Sequence, residues 1–103
     1  MPPKPKFTAE VVLRATVEVV RHSGFAAVSA RTVAKELGAS TAPVIAAYAS
    51  MQALQDAAVE RIIALLLQAV DDGGDDGEDD PLAKAAFGFV RFAADEPRFY
   101  EAL

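Results

Sequence analysis

The sequence predicts an all-α fold: a cluster of three short helices, a longer connecting helix, and the first helices of a second helical unit. Three observations predict it. Apolar residues recur at helical spacing in successive stretches, a serine or threonine precedes each of the first four, and glycine closes the first two. In addition, 52% of the 103 residues are hydrophobic, chiefly alanine and valine, a fraction that favours a packed helical protein over a disordered chain.

Thr8 can cap the first helix. Glu10 sits in its favourable first turn, Val12, Ala15, Val19 and Val20 recur on one face, and Gly24 stops it. His22 falls near the end of this helix, where its ring can meet the carbonyl dipole; a lone histidine builds no metal site. Ser29 caps a second, shorter helix, with Val33, Ala34 and Leu37 on one face and Gly38 as its C-terminal punctuation. Ser40 is expected to cap a third helix, in which Pro43 stands in the first turn, where a missing backbone donor costs little. Ser50 caps a fourth. Its stripe of Leu54, Ala58, Ile62, Leu65 and Ala69 carries it to about Val70.

Composition then changes abruptly. Residues 71–80 contain only Asp, Glu and Gly, which repel one another and bury nothing, so they read as an open linker. An EF-hand register with Gly77 sixth would put Gly74 third and Ala83 twelfth, where ligands are required, so no calcium site is expected. Pro81 restarts a helix through about Ala94, rich in Phe87, Phe89 and Phe92, and Pro97 opens a further short one. These aromatics read as core or subunit contact.

Charge is divided along the chain. Residues 1–70 carry seven bases against five acids, whereas residues 71–103 carry three bases against ten, within a net charge of −5. A mildly basic front joined to an acidic rear is compatible with phosphate contact at one end. Without cysteine there is no disulfide framework, thiolate nucleophile or Cys-type zinc site. The basic start, residues 1–6, is not followed by a signal-type apolar stretch, because Glu10, Arg14 and Glu18 intervene, and the longest apolar run, 62–67, is far short of the ~20 residues of a membrane span. A soluble, cytoplasmic protein is expected. No nucleophile–base pair, phosphate loop or metal spacing is visible, so the chain reads as a non-enzyme without cofactor.

The most informative segment runs from Ser29 to Leu54: capped helix, Gly38, tight turn, second capped helix, and a further cap at Ser50. That is helix-turn-helix punctuation. Over positions 8–58 the chain also resembles the TetR family. Gly24-Phe25 is similar to the family's first-helix ending, Ser29, Val33, Ala34, Leu37, Gly38, Ala39 and Ser40 are similar to its second helix and turn, and Val44, Tyr48, Ser50 and Leu54 complete the match. Phe89, Phe92, Glu96, Pro97 and Phe99 resemble the start of the companion regulatory domain in some members.

The resemblance implies a homodimer that binds a palindromic operator in double-stranded DNA, usually as a repressor released by a small-molecule inducer held in the C-terminal domain. It implies DNA contact by Ser29, Arg31, Ser40, Thr41, Pro43, Ile45, Ala46, Ala47 and Met51. Ile45, Ala47 and Met51 depart from the family, which often carries tyrosine, tyrosine or histidine, and lysine there; binding is therefore expected to be weaker or to lean on apolar contact and DNA shape. The expected organisation is a basic arm (1–7), a DNA-binding domain (8–54), a connecting helix (55–70), an acidic linker (71–80) and the start of a regulatory domain (81–103), the family's members continuing further. The competing expectation is a small helical interaction module that keeps the fold but has lost DNA binding.

Overall fold

A computed structural model describes residues 7–73 and 80–103. Among them the protein is all-helical: α1 (Ala9–Ser23), a 3-10 turn (Phe25–Ala27), α2 (Ala30–Leu37), α3 (Ala42–Ala47), α4 (Met51–Asp72), α5 (Pro81–Asp95) and α6 (Pro97–Ala102), with no strand. No described helix is long and apolar enough to cross a membrane.

α1 is the element on which the others converge, since α2, α3, α4 and α6 all pack against it. The Thr8 hydroxyl accepts from the Val11 amide at 3.2 Å, as a cap should, and Gly24 leaves the helix at φ 89°. Seven of its residues are buried. Among them is Thr16, whose hydroxyl donates to the Val12 carbonyl at 2.8 Å and so enters the core with its polar atom satisfied.

The aliphatic centre is built from Val12, Val20, Val33, Val44, Leu54, Ala58 and Ile62, each 1% exposed or less. Burial of each larger side chain stabilises the fold by about 1.5–3 kcal/mol. α4 and α5 form an antiparallel pair: Lys84 lies over Gly73, and Gly88 faces the backbone of Ala69 and Val70. Glycine at position 88 is required by that close approach, because a Cβ there would collide with the Ala69 carbonyl oxygen. α6 then folds back onto α1. Phe99, 1% exposed, stacks on Phe92 with ring centres 6.1 Å apart, and the Arg21 guanidinium of α1 sits 5.0 Å above the Phe99 ring. Arg21 also pairs with Glu18 at 2.6 Å and, through Nε, with Glu96 at 3.3 Å.

Two boundaries differ from expectation. Ser40 does not cap α3; the N-cap is Thr41, already in a helical conformation (φ −74°, ψ −17°), and no side chain bonds the first turn. Pro43 explains part of this, since it removes one of the amides a cap would satisfy. α4 continues two residues past Val70 to Asp72, where Gly73 (φ 62°) closes it by donating its amide to the Ala69 carbonyl. The acidic stretch therefore begins inside a helix, because an αL glycine, not charge repulsion, sets the end. The remaining linker positions 74–79, and the basic arm before Phe7, lie outside the described residues.

Candidate nucleic-acid interface

Residues 29–51 are the segment on which sequence reasoning placed its site. Local chemistry shapes its first half. Ser29 Oγ accepts from the Thr32 amide at 3.1 Å while Thr32 Oγ1 accepts from the Ser29 amide at 2.9 Å, a reciprocal capping box with threonine in the usual glutamate position. Thr32 also donates to the Ala27 carbonyl at 2.8 Å, tying the start of α2 to the 3-10 turn. α2 ends at Gly38, φ 68° and ψ 36°, where a Cβ would meet nothing within 4 Å. Glycine is needed there for its backbone conformation alone.

Beyond Gly38 the chain turns and restarts as α3, which presents two sides. Val44, 1% exposed, points inward, whereas Ser40, Thr41, Ala42, Ile45 and Ala46 are exposed. Ile45 is 63% exposed and is the large apolar side chain left open to water between Phe7 and Arg61. On α2, Val33 and Ala34 face the core and Arg31 and Lys35 face solvent. Arg31, Ser40, Thr41, Ile45 and Ala46 are thus all open to solvent. Ser29 and Pro43 are half-buried, and the Ser29 hydroxyl is engaged in its cap. Ala47 and Met51 pack partly against the core, which leaves less of each for an external partner.

What holds α3 in place was invisible in the sequence. Tyr48, just after α3, donates its hydroxyl to the Ala9 carbonyl at 3.3 Å. Burial pushes its phenol pKa up, with the Glu10 charge adding to the shift and Arg61 opposing it. Glu10 on α1 accepts from Arg61 on α4 at 2.8 Å, 51 residues away, and lies 3.9 Å from Arg14. That hydrogen bond from Arg61 holds the Glu10 carboxyl below its ordinary pKa, and reciprocally raises that of Arg61. These contacts pin the end of α3 and the middle of α4 to the same end of α1. Periodicity gives no hint of such distant pairs. His22, by contrast, is exposed at the end of α1 and approaches Glu18 at 3.4 Å.

Among the described residues no cluster of three or more His, Cys, Asp or Glu is arranged to hold a metal ion. The exposed residues of α2, the turn and α3 include one guanidinium, one ammonium, the Glu36 carboxylate, hydroxyls at Ser40 and Thr41, and an apolar knob at Ile45. Chemically, that set can meet phosphate, a base edge and a methyl group. No family model, curated protein or solved structure matches the chain.

Proposed function

We propose that α2 and α3 form a helix-turn-helix, that α3 enters the major groove of DNA, and that the protein is a sequence-specific transcriptional regulator. One observation carries the reading. The two helices are separated by an αL glycine, share an inward row of Val33, Ala34 and Val44, and turn Arg31, Thr41 and Ile45 outward. In this reading Arg31 bonds a phosphate or a guanine edge, Thr41 supplies a hydroxyl at the helix start, and Ile45 meets a thymine methyl. Ser40 and Ala46 lie alongside. The resemblance to the TetR family supports the same assignment and is the sole basis for reading it as a ligand-released repressor.

The face is poor in charge, so its salt dependence is expected to be shallow. Arg31 and Lys35 neutralise about two phosphates per recognition unit, for a log–log slope near −2. The test is an anisotropy titration of duplexes selected from a random pool, between about 50 and 200 mM salt. Arg31→Ala is expected to weaken the selected duplex by about 1–3 kcal/mol without loss of helicity if the contact is to a base. Absence of any salt-dependent association at the low end would defeat the proposal. The exposed Ile45 motivates the alternative, a protein-interaction surface on the same fold, which would show itself as binding insensitive to salt and lost in Ile45→Glu.

A further inference from the structure

Between Thr41 and Tyr48 no side chain can donate or accept a hydrogen bond, because α3 is Ala-Pro-Val-Ile-Ala-Ala from end to end. Val44 is spent in the core, and Pro43 and Ala47 are half-buried. The open side of the helix is therefore Ala42, Ile45 and Ala46, spaced so that all three share one face. With only methyl groups at 42 and 46, Ile45 is the group that projects. The Thr41 hydroxyl stands at the start of this face and makes no cap bond. A helix so composed cannot tell base pairs apart by their pattern of donors and acceptors, which is the usual currency of the major groove. One apolar group is left to read there, the methyl at C5 of thymine, and a branched aliphatic side chain held in water is its complement.

We infer that α3 selects DNA through Ile45 by pyrimidine C5 methyl groups, not by hydrogen-bonding edges, and that 5-methylcytosine therefore serves in place of thymine. The inference rests on the DNA-binding proposal and sharpens it to an operator whose occupancy responds to cytosine methylation. Exchanging a thymine–adenine pair for 5-methylcytosine–guanine keeps the methyl on the same carbon but changes the polar groups beside it. Thymine O4 accepts where cytosine N4 donates, and adenine N6 donates where guanine O6 accepts. No side chain of α3 pairs with those groups, so their exchange goes unread. The Thr41 hydroxyl, which both donates and accepts, suits either edge. Unmethylated cytosine presents the exchanged edge and leaves a gap opposite Ile45. The charge of the occupant is set by α2, where Arg31 and Lys35 stand exposed against one exposed carboxylate, Glu36, and complement phosphate. In this arrangement α2 supplies the attraction to a polyanion and α3 supplies the choice of sequence.

The test titrates the full chain against a duplex recovered from the random-pool selection and remade, one thymine at a time, with uracil, 5-methylcytosine or cytosine, guanine standing opposite the last two. At a position facing Ile45, uracil is expected to weaken binding about three- to fourfold, the worth of one buried methyl, with 5-methylcytosine within about twofold of thymine and cytosine falling with uracil. Ile45→Ala is expected to bring the thymine-to-uracil ratio to about one while leaving the salt slope as it was, since Arg31 and Lys35 are untouched. The modified duplexes probe the parent chain, so the outcome does not hang on how the variant folds. A selected duplex indifferent to every uracil replacement, 5-methylcytosine bound no better than cytosine, or a thymine preference that survives Ile45→Ala would each overturn the inference while DNA binding itself stood. Absence of association with any duplex would instead remove the DNA-binding proposal, and this inference with it.

Discussion

The front of the molecule and its rear are finished in different ways. In the front, each of α1, α2 and α4 starts on a hydroxyl that accepts its own first-turn amide, and Gly24 and Gly38 end α1 and α2. The core between them is aliphatic, and the large apolar side chains its outward faces leave in water are Ile45 and, on α4, Ile63 and Leu67. In the rear, a pair of phenylalanines, Phe92 and Phe99, supplies the core, a cation from α1 stands over one ring, and the far side of α5 is left apolar in water. The front closes itself by chemistry within a few residues of each helix end. The rear depends on what it touches: α5 lies along α4, and α6 folds onto α1.

Phe99→Ala is expected to have the largest effect on that contrast. Removing a side chain 1% exposed costs about 3–5 kcal/mol, and here it also strips the ring from beneath Arg21, whose Nε is left with its ion-pair contact to Glu96 at 3.3 Å. If the front is self-sufficient, the cost falls on the docking of α6 and α5, and native-state hydrogen exchange will show their amides opening while those of α1 and α2 stay protected. Loss of protection in all helices together would mean that front and rear are one cooperative unit, and the contrast would be one of composition only.

A smaller effect is expected at Gly38, wholly within the front. Gly38→Val places a β-branched residue at φ 68°, costing about 1–2 kcal/mol, with no atomic collision to add because the space around the new Cβ is empty. Gly38→Asn, which tolerates αL, should recover most of it. A thermal midpoint for Gly38→Val equal to that of the parent would show that the turn can be made another way.

The same contrast decides how much could be read in advance. Thr8, Ser29, Ser50, Gly24 and Gly38 act on neighbours within five residues, so their roles were legible from spacing alone. Ser40 misled because its neighbour competed: Thr41 had already entered the helical conformation, and Pro43 lowered the demand for a cap. Of the proposed interface, the outward positions of Arg31, Thr41, Ile45 and Ala46 agree with helical register, but Ala47 and Met51 lean on the core because α3 stops after six residues and the chain turns inward to begin α4. The contacts that fix α3 in space, Tyr48 to Ala9 and Arg61 to Glu10, join residues 39 and 51 apart and leave no periodic trace. Neither does the stacking of Arg21 on Phe99.

Glu10→Gln is expected to have the smallest effect, and it asks whether the front owes anything to such distant pairs. Glu10 and Arg61 are both substantially open to water, so solvent screening keeps the bond weak even at 2.8 Å. Its signature is its pH dependence. The Glu10 carboxyl has a folded-state pKa below its unfolded one, so the stability it contributes is fully present above the ordinary carboxylate range and is lost as pH falls through the folded value. The parent should therefore have a slightly higher urea midpoint than Glu10→Gln near neutrality, with the two converging as pH falls below the folded-state value and the gap narrowing in high salt. Because Arg61 bonds Glu10 in the same corner where Tyr48 meets Ala9, the variant should also loosen α3 without melting it, seen as faster exchange of the amides beyond Thr41. A midpoint difference that persists unchanged into acid would show that Glu10 acts through packing and not through its charge, and the front would then be as locally built as its caps suggest.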